Sequence, residues 1–261
     1  MRKICFLAVS CLCLLSFQTV GGLGLAQAMN GRELAKKIHD RYMGDNFSAQ
    51  AKMVLIDEDG DKRIRDMTMM MLEESGIRKN LIRFTSPSDI AGTGFLTLEN
   101  EDGSTDQFLY LPALDRTRRI VTSQRGRSFV NSDFTYEDMT RRPVDDSQHE
   151  IVGQKKVSGR ECWILETRPL PKASSEYSLI RSVIPKDLHL AIKSEYFNKD
   201  DEQIKTYLVK QLKKIQAIWT PLEYVMIQHR DEHRTVIRIE DITYNTDIGK
   251  DAFTRRYLEN W

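Results

Sequence analysis

The feature that most limits how this chain can fold is a long series of short segments in which apolar and polar residues alternate. From about Phe47 to Ile242 many apolar residues recur at every second position, and turn-forming residues separate one segment from the next. Such alternation is typical of antiparallel strands with one buried face. Ten or eleven short strands with few helices therefore predict a mainly β (α+β) chain that forms one large antiparallel sheet or barrel.

The first three segments show this pattern over residues 47–55, 63–71 and 79–85. Turns rich in acidic residues and glycine join them at residues 57–61 and 75–76. Short connections between alternating segments favour hairpins. The sequence therefore predicts that the N-terminal part of the sheet is an antiparallel meander.

Helices are predicted mainly where the alternation stops. Asn30 can cap a first helix that extends through Met43, and a short helix is expected from Lys250. Two longer stretches, residues 129–148 and 170–187, lack strand alternation. Because the apolar face of a wide sheet needs a covering layer, we expect these stretches to be helical insertions that lie over it.

The N-terminus has the organisation of an export signal. The basic residues Arg2 and Lys3 precede a mostly apolar run, and Ala26-Gln27-Ala28 follows as a small-residue cleavage motif. We expect residues 1–28 to be a cleaved signal peptide and residues 29–261 to be a single exported domain. A retained membrane anchor is the alternative, although glycines interrupt the run and no basic flank follows it.

Export changes the bulk counts only slightly. The 261 residues carry a net charge of +1, and removal of residues 1–28 leaves 37 basic and 38 acidic residues. A nearly neutral balance does not suggest a nucleic-acid partner. Cys162 is the one cysteine that remains, so no intrachain disulfide is possible. The exported domain must therefore be stabilised by its core, for which 233 residues suffice.

The common catalytic and cofactor motifs are absent from the sequence. Gly92-Thr93-Gly94 lacks the third glycine of a nucleotide-binding loop, and there is no G-x-S-x-G sequence. His229 and His233 are four residues apart but flank a predicted turn, where exposed polar side chains are more common than a metal site. Cys162 is predicted to be a buried, inert thiol. We therefore expect neither an enzyme nor a bound metal or cofactor.

Two groups of residues need a further explanation. Met67, Met69, Met70 and Met71 lie on one predicted strand, where they are either ordinary core residues or part of an adaptable apolar surface. A second group consists of arginines that could bind phosphate head groups or an acidic partner: Arg116, Arg118, Arg119, Arg125 and Arg127. Alternatively, these arginines are solvated and compensated by nearby acids, namely Asp115, Asp133, Glu137 and Asp138.

One block of sequence is more specific than the alternation. Residues 83–96, RFTSPSDIAGTGFL, are followed by FLYLPAL at residues 108–114 and by SFVNSDFTYED at residues 128–138. This succession resembles the bacterial outer membrane lipoprotein-sorting protein family, which is similar to the periplasmic carrier LolA. The resemblance extends from about Leu34 to the last helix. The chain departs from it at Phe108, where members often have Trp, and at Asn131, where they often have Gly.

The resemblance implies a strongly curved, incomplete barrel of about eleven antiparallel strands whose open side is closed by a few helices. It also implies that acyl chains bind between the sheet and these helices. Alternation along the strands then gives a set of candidate lipid-binding residues on one face: Met53, Leu55, Met67, Met69, Met71, Leu81, Phe108, Tyr110, Trp163 and Leu165. The alternation does not establish whether this face is concave or convex.

Our first hypothesis for the function is a periplasmic, non-enzymatic carrier, expected to be a monomer, that binds the acyl chains of a lipid or lipoprotein. Some relatives are encoded beside export pumps of the resistance-nodulation-division class, which makes such a pump a candidate partner. A second hypothesis is a sensor or adaptor for a membrane complex, because envelope-stress regulators such as RseB share the LolA-like fold. The arginines would then form its docking surface. A hydrolase is the third hypothesis.

Overall fold

The computed structural model describes residues 29–260, so the predicted signal peptide lies outside the described residues. The described chain contains two α-helices, α1 (Gly31–His39) and α2 (Arg255–Glu259). Its strands, numbered in chain order, are β1 Asn46–Ile56, β2 Lys62–Glu74, β3 Ile77–Ser86, β4 Gly94–Glu99, β5 Thr105–Leu111, β6 Arg116–Arg119, β7 Ser147–Val157, β8 Arg160–Pro169, β9 Leu179–Pro185, β10 Lys193–Phe197, β11 Gln203–Ile215, β12 Ile218–Gln228 and β13 Arg234–Tyr244.

All thirteen strands belong to one sheet, in the order β6-β5-β4-β3-β2-β1-β13-β12-β11-β10-β9-β8-β7. Every neighbouring pair is antiparallel. The chain runs outward from β1 to β6, passes through residues 120–146, which we call the crossing segment, and returns from β7 to β13. The sheet is therefore open, with β6 and β7 at its edges, and the prediction of a single curved antiparallel sheet is confirmed.

The strand count and the covering layer differ from the expectation. The sheet has thirteen strands rather than about eleven, and the interval 170–187 contains strand β9 instead of a helical insertion. This strand shows no alternation because residues on both of its faces are buried. Residues 129–148 form turns, one short 3₁₀ segment at Val144–Asp146 and the first residues of β7, and α1 ends at His39 rather than at Met43.

Helix α1 is held at its start by a capping box. The Asn30 side chain accepts a hydrogen bond from the Glu33 backbone N–H (2.9 Å), and the Glu33 carboxylate accepts one from the Asn30 N–H (3.2 Å). Leu34 is fully buried in a cluster with Leu165 and Ile184. Helix α1 therefore covers the β8–β9 part of the sheet.

We call the face of the sheet that α1 covers the inner face. The crossing segment covers much of the rest of this inner face. Phe129 is fully buried among core residues of the sheet, and its ring lies 4.9 Å from that of Phe95. Polar contacts add to this packing, because Arg65 donates a hydrogen bond to the Val130 carbonyl (2.6 Å) and Gln107 donates one to the Tyr136 carbonyl (2.8 Å). The largest apolar cluster therefore lies between the inner face and the crossing segment.

The opposite, outer face is covered near strands β2 to β5 by the end of the chain. Phe253 and Leu258 are buried there in a cluster with Leu81 and Leu96. Among residues 29–260, no helix is long and apolar enough to cross a membrane. The two faces of the sheet thus have different covers, and this difference positions the cavity described next.

Candidate functional site

An apolar cavity of about 490 Å³ lies on the inner face. Ile38, Arg41 and Met43, at and after the end of α1, form one part of its wall, and residues 134 and 138–141 of the crossing segment form another. The floor comes from strands of both halves of the sheet, including β2, β3, β11, β12 and β13. Because the wall contains elements distant in sequence, the cavity is a product of the whole fold.

The wall of the cavity is mostly aliphatic, aromatic and methionine side chains. Its methionines and aromatic residues are Met43, Met69, Met70, Met139, Met226, Phe47, Phe95, Phe134, Tyr196, Tyr207, Tyr224 and Tyr244. Methionine is flexible and polarisable, so such a wall can adapt to apolar groups of variable shape. Burial raises the pKa of Tyr224 to about 12, so its hydroxyl stays neutral at physiological pH.

The structure places the predicted lipid-binding residues in three different environments. Met69 lines the cavity, whereas Met53, Leu55 and Met67 are buried in the core cluster beneath the crossing segment. Met71 is buried and pairs with Phe47, a cavity residue. The inner face therefore brings together the five candidates from β1 and β2.

The other candidates lie elsewhere. Phe108 and Tyr110 pack on the outer face in the cluster that contains Phe253. Leu81 is buried in that same cluster, although it also contacts the cavity. Trp163 and Leu165 pack against α1, which covers another part of the inner face, and neither lines the cavity. Alternation finds the residues that share a face within one strand, but it does not connect the faces of distant strands.

Much of the cavity wall was not predicted from the sequence. Tyr207, Tyr224, Met226, Ile239 and Ile242 come from β11 to β13. Their strands do alternate, but bulges interrupt the pairing between Val209 and Gln211 in β11 and beside Gln50 and Ala51 in β1. A bulge shifts the register and with it the face to which later side chains point. The pairing of β13 with β1, which completes the cavity, has no local signal in the sequence.

A buried polar network stands beside the cavity. The Lys205 ammonium contacts the Asp138 carboxylate at 3.1 Å and donates a hydrogen bond to the Tyr177 hydroxyl (2.9 Å), which donates one to Asp138 (2.9 Å). Arg142 lies 3.4 Å from Glu137 and 3.6 Å from Asp138. This network joins the crossing segment to β11 and to the residues before β9.

The charges of the network stabilise one another. Burial by itself would raise the pKa of Asp138, but Lys205 and Arg142 outweigh it and hold this pKa below its usual value. Burial would likewise lower the pKa of Arg142, and Glu137 and Asp138 raise it above the ordinary value. Both groups are therefore charged at neutral pH, and Asp138 presents an ionised carboxylate at the edge of an apolar cavity.

The five arginines of the predicted contact group lie at the β6 edge and in the crossing segment. Arg116, Arg118 and Arg119 belong to strand β6, and Arg119 forms a salt bridge with Asp106. Arg125 donates to the Thr105 carbonyl, and Arg127 is exposed. The acids expected to compensate them contact other side chains: Asp115 (Tyr110), Asp133 (His233), Glu137 (Arg142) and Asp138 (Lys205).

The residues considered for metal binding or nucleophilic chemistry have other environments. His233 Nδ1 lies 2.9 Å from the Asp133 carboxylate, while His229 Nε2 contacts the Thr206 hydroxyl at 2.8 Å. Among residues 29–260 there is no group of three or more His, Cys, Asp or Glu side chains that could hold a metal ion. Cys162 is fully buried, and burial raises the pKa of its thiol, so the reactive thiolate is disfavoured.

Comparisons with known proteins agree with this architecture. A family model described as "Uncharacterized protein" matches residues 76–260. A DUF1329 family protein from Desulfovibrio piger superposes with a TM-score of 0.82 at 26% identity, covering 87% of this chain and 97% of that one. A Vibrio parahaemolyticus domain assigned to the outer membrane lipoprotein-sorting proteins gives 0.81 at 27% identity, with 88% and 98% covered.

A LolA superfamily protein from Nitrosomonas europaea has a TM-score of 0.69 at 15% identity and is covered completely by 88% of this chain. At this identity the similarity establishes the fold alone. No curated protein matches the chain. The LolA-like fold and the resemblance to the lipoprotein-sorting proteins that the sequence predicted are confirmed.

Proposed function

The chain belongs to the family whose model matches residues 76–260, and from its LolA-like fold and apolar cavity we propose that it is a carrier of acyl chains. The cargo is a lipid or an acylated lipoprotein whose chain is sheltered from water between the inner face, α1 and the crossing segment. No catalytic step is required, because reversible burial of the chain suffices for transport.

The cavity is the observation that carries this proposal. Its volume of about 490 Å³ is within the range of roughly 300–1,000 Å³ that is usual for small-molecule sites. Each methylene group moved from water into an apolar site contributes about 0.8 kcal/mol. An acyl chain that buries about ten methylenes would therefore gain roughly 8 kcal/mol, which suffices for useful affinity without any directional contact.

The relatives and the N-terminal sequence support a role of this carrier in the cell envelope. The Vibrio parahaemolyticus domain is assigned to lipoprotein sorting and covers most of this chain. The N-terminal sequence predicts export, which supports a periplasmic location for the proposed carrier. A pump of the resistance-nodulation-division class remains the proposed membrane partner, on the resemblance stated above.

Cavity-filling substitutions test the carrier function. Met69→Trp on β2 puts a larger ring into the cavity, whereas Ile64→Trp on the same strand replaces a side chain that is 50% exposed. Loss of contact with two methylenes at about 0.8 kcal/mol each predicts about tenfold weaker binding of a fluorescent fatty acid to Met69→Trp. The Ile64→Trp control should bind as the unmodified protein does.

Native mass spectrometry of protein purified from the periplasm provides the second measurement. We expect a co-purifying lipid or acylated peptide that is reduced in Met69→Trp. If the unmodified protein carries no lipid and binds neither a fatty acid nor an acylated peptide, the carrier function is wrong.

The arginines at the β6 edge favour a second candidate, an adaptor for a membrane complex. Arg116 and Arg127 are exposed, and neither has a salt-bridge partner among residues 29–260. Cross-linking in whole cells separates the two functions. The adaptor is favoured over the carrier if two results are obtained together. A membrane-protein partner is cross-linked to the unmodified protein but not to Arg116→Glu/Arg127→Glu, and the unmodified protein transfers no lipid between vesicles.

A further inference from the structure

A second pocket opens on the outer face, at the end of the sheet away from the C-terminal helix. It has a volume of about 370 Å³ and lies between the β7–β8 hairpin and the β11–β12 hairpin. Its floor contains apolar side chains that are only partly buried, including Val157, Ile192, Leu208 and Leu212. It is therefore an apolar surface left open to solvent.

Four cations line this pocket, and its lining contains no carboxylate. Arg160 forms a salt bridge with Asp187, and Lys193 forms one with Glu195. Lys155 and Lys210 are exposed and have no salt-bridge partner within the described part of the chain. Since unpaired lysines flank an apolar floor, the pocket is chemically suited to an amphiphile with a negative charge.

The tips of the two hairpins extend this positive charge. Lys156 is next to Lys155 on β7, and Lys213 and Lys214 precede the β11–β12 turn, where Lys214 pairs with Trp219 in the ladder. Arg160 lies over the Trp219 ring, 5.2 Å from its centroid, so the two hairpins are in contact. A chain with a net charge of +1 thus concentrates unpaired lysines at one end of its sheet.

This basic pocket is separated from the apolar cavity by a thin wall. In the segment before β10, Leu188 and Ile192 line the basic pocket, while residues 189–191 line the cavity. The same change occurs in β12, where Trp219 lines the pocket and residues 220–221 line the cavity. A surface bound at the pocket would therefore be held close to the cavity.

We propose that this basic pocket, with the lysines of the two hairpin tips, is a docking surface for a bilayer that contains anionic lipids. Lysines near an anionic membrane surface are attracted to it individually, and tryptophan is favoured at the membrane–water interface. Flexible lysine side chains without bidentate partners suit a fluid surface better than the fixed carboxylate positions of a protein. The use of this surface in cargo transfer rests on the proposed carrier function.

Vesicle co-sedimentation tests the docking surface without any cargo. The protein beginning at Met29, which contains all described elements, is mixed with vesicles of phosphatidylcholine or of phosphatidylcholine with phosphatidylglycerol. One lysine near an anionic surface changes the affinity about fivefold. Lys155→Glu/Lys210→Glu should therefore weaken binding to the anionic vesicles by at least about tenfold. Binding of the unmodified protein should also fall as salt is increased.

The matched control is Lys62→Glu/Lys199→Glu, which makes the same change in net charge at two exposed lysines outside this pocket. It should keep most of the binding to anionic vesicles. Equal binding to both types of vesicle, or equal loss in the two variants, would overturn the proposal. The proposal would also be overturned if the protein failed to bind vesicles but formed cross-links to an acidic protein that required Lys155 and Lys210. That result would identify the pocket as a protein-binding surface. Fatty-acid binding can succeed or fail independently of each result.

Discussion

Lys205 and Asp138 form an ion pair that is almost completely buried, with side-chain exposures of 5% and 3%. Removal of Lys205 leaves the Asp138 carboxylate, in a medium of low dielectric constant, with Arg142 at 3.6 Å as its remaining charged partner, and breaking such a buried pair costs about 3–5 kcal/mol. We therefore predict that Lys205→Met lowers the free energy of unfolding by about this amount in urea denaturation.

The double variant Lys205→Met/Asp138→Asn is the control for this prediction, because it removes both charges. It should recover a substantial part of the lost stability, and the double-mutant cycle gives the coupling between the two groups. If the double variant is as unstable as the sum of the two single variants, the pair makes no specific contribution.

His149 predicts a dependence of stability on pH. Its Nε2 atom lies 2.9 Å from the Val144 carbonyl, and burial lowers the pKa of the imidazole below its ordinary value of 6.5. Between the lowered pKa and 6.5 the unfolded chain binds more protons than the folded protein does. The contribution of the neutral His149 imidazole to the free energy of unfolding is therefore complete above pH 6.5, and it is lost as the pH falls through the folded-state pKa.

We expect the free energy of unfolding to decrease between pH 7.5 and pH 5.5, and the decrease to be smaller in His149→Gln. Burial also lowers the pKa of His189, so His189→Asn should remove a further part of the dependence. Urea denaturation at several pH values measures both effects. An unchanged slope in the two variants would contradict the assignment.

The docking of α1 depends on the absence of a side chain at Gly31. A Cβ atom at this position would lie 2.2 Å from the His149 carbonyl oxygen and 2.6 Å from the Glu150 nitrogen, both of which are backbone atoms of β7. Neither atom can move without disturbing the edge strand. We predict that Gly31→Ala lowers the free energy of unfolding by about 1–3 kcal/mol, the usual cost of overpacking.

Arg32→Ala is the adjacent control, since Arg32 is exposed and its salt bridge with Asp145 is also at the surface. Such pairs contribute about 0–1 kcal/mol. Gly31→Ala should in addition increase proteolysis near α1, because the helix must move away from Leu165 and Ile184. Equal stability of the two variants would show that the contact at Gly31 is not important.

Some strands could be predicted from the sequence and others could not. The predicted segments 47–55, 63–71 and 79–85 correspond to β1, β2 and β3, because each connection is a short turn and one face is buried. Strand β9 could not be distinguished from a buried helix by periodicity, since both of its faces are covered. The resemblance to a known family supplied the incomplete barrel that local patterns leave open.

The candidate site was predictable only in part, for a related reason. Residues on one strand, such as Met67 and Met69, share a face that alternation identifies. The prediction grouped Phe108 with Met69 on one face, whereas Phe108 packs on the outer face and Met69 lines the cavity on the inner face. To separate the two residues requires the strand order and the cover on each face. Both the crossing segment and the β1–β13 pairing are long-range features.

The whole molecule is an open sheet whose two halves meet at one strand pair. Residues 46–119 form one half and residues 147–244 the other, and β1 pairs with β13 between them. Central strands are hydrogen-bonded on both sides, whereas β6 and β7 each have one free edge. Protection from hydrogen exchange should follow this order, because local opening is easiest where fewest contacts must break.

Hydrogen exchange measured by mass spectrometry should therefore be slowest in β1, β2, β12 and β13 and fastest in β6 and β7. Because β1 and β13 are far apart in the chain, slow exchange in both strands would show that their pairing persists in the folded protein. Slow exchange confined to one half would show that the two halves unfold separately. Uniform protection across the sheet would contradict the open arrangement.

Hydrogen exchange measured with and without a fatty acid tests the proposed carrier function. The cavity wall includes residues 134 and 138–141 of the crossing segment and residues 189–191 before β10, which are far apart in the sequence. A bound chain contacts both, so their exchange should slow together. Residues 255–259 pack on the outer face and serve as an internal control that should not change. Slowing that is confined to the outer face would place the ligand outside the cavity and contradict the carrier mechanism.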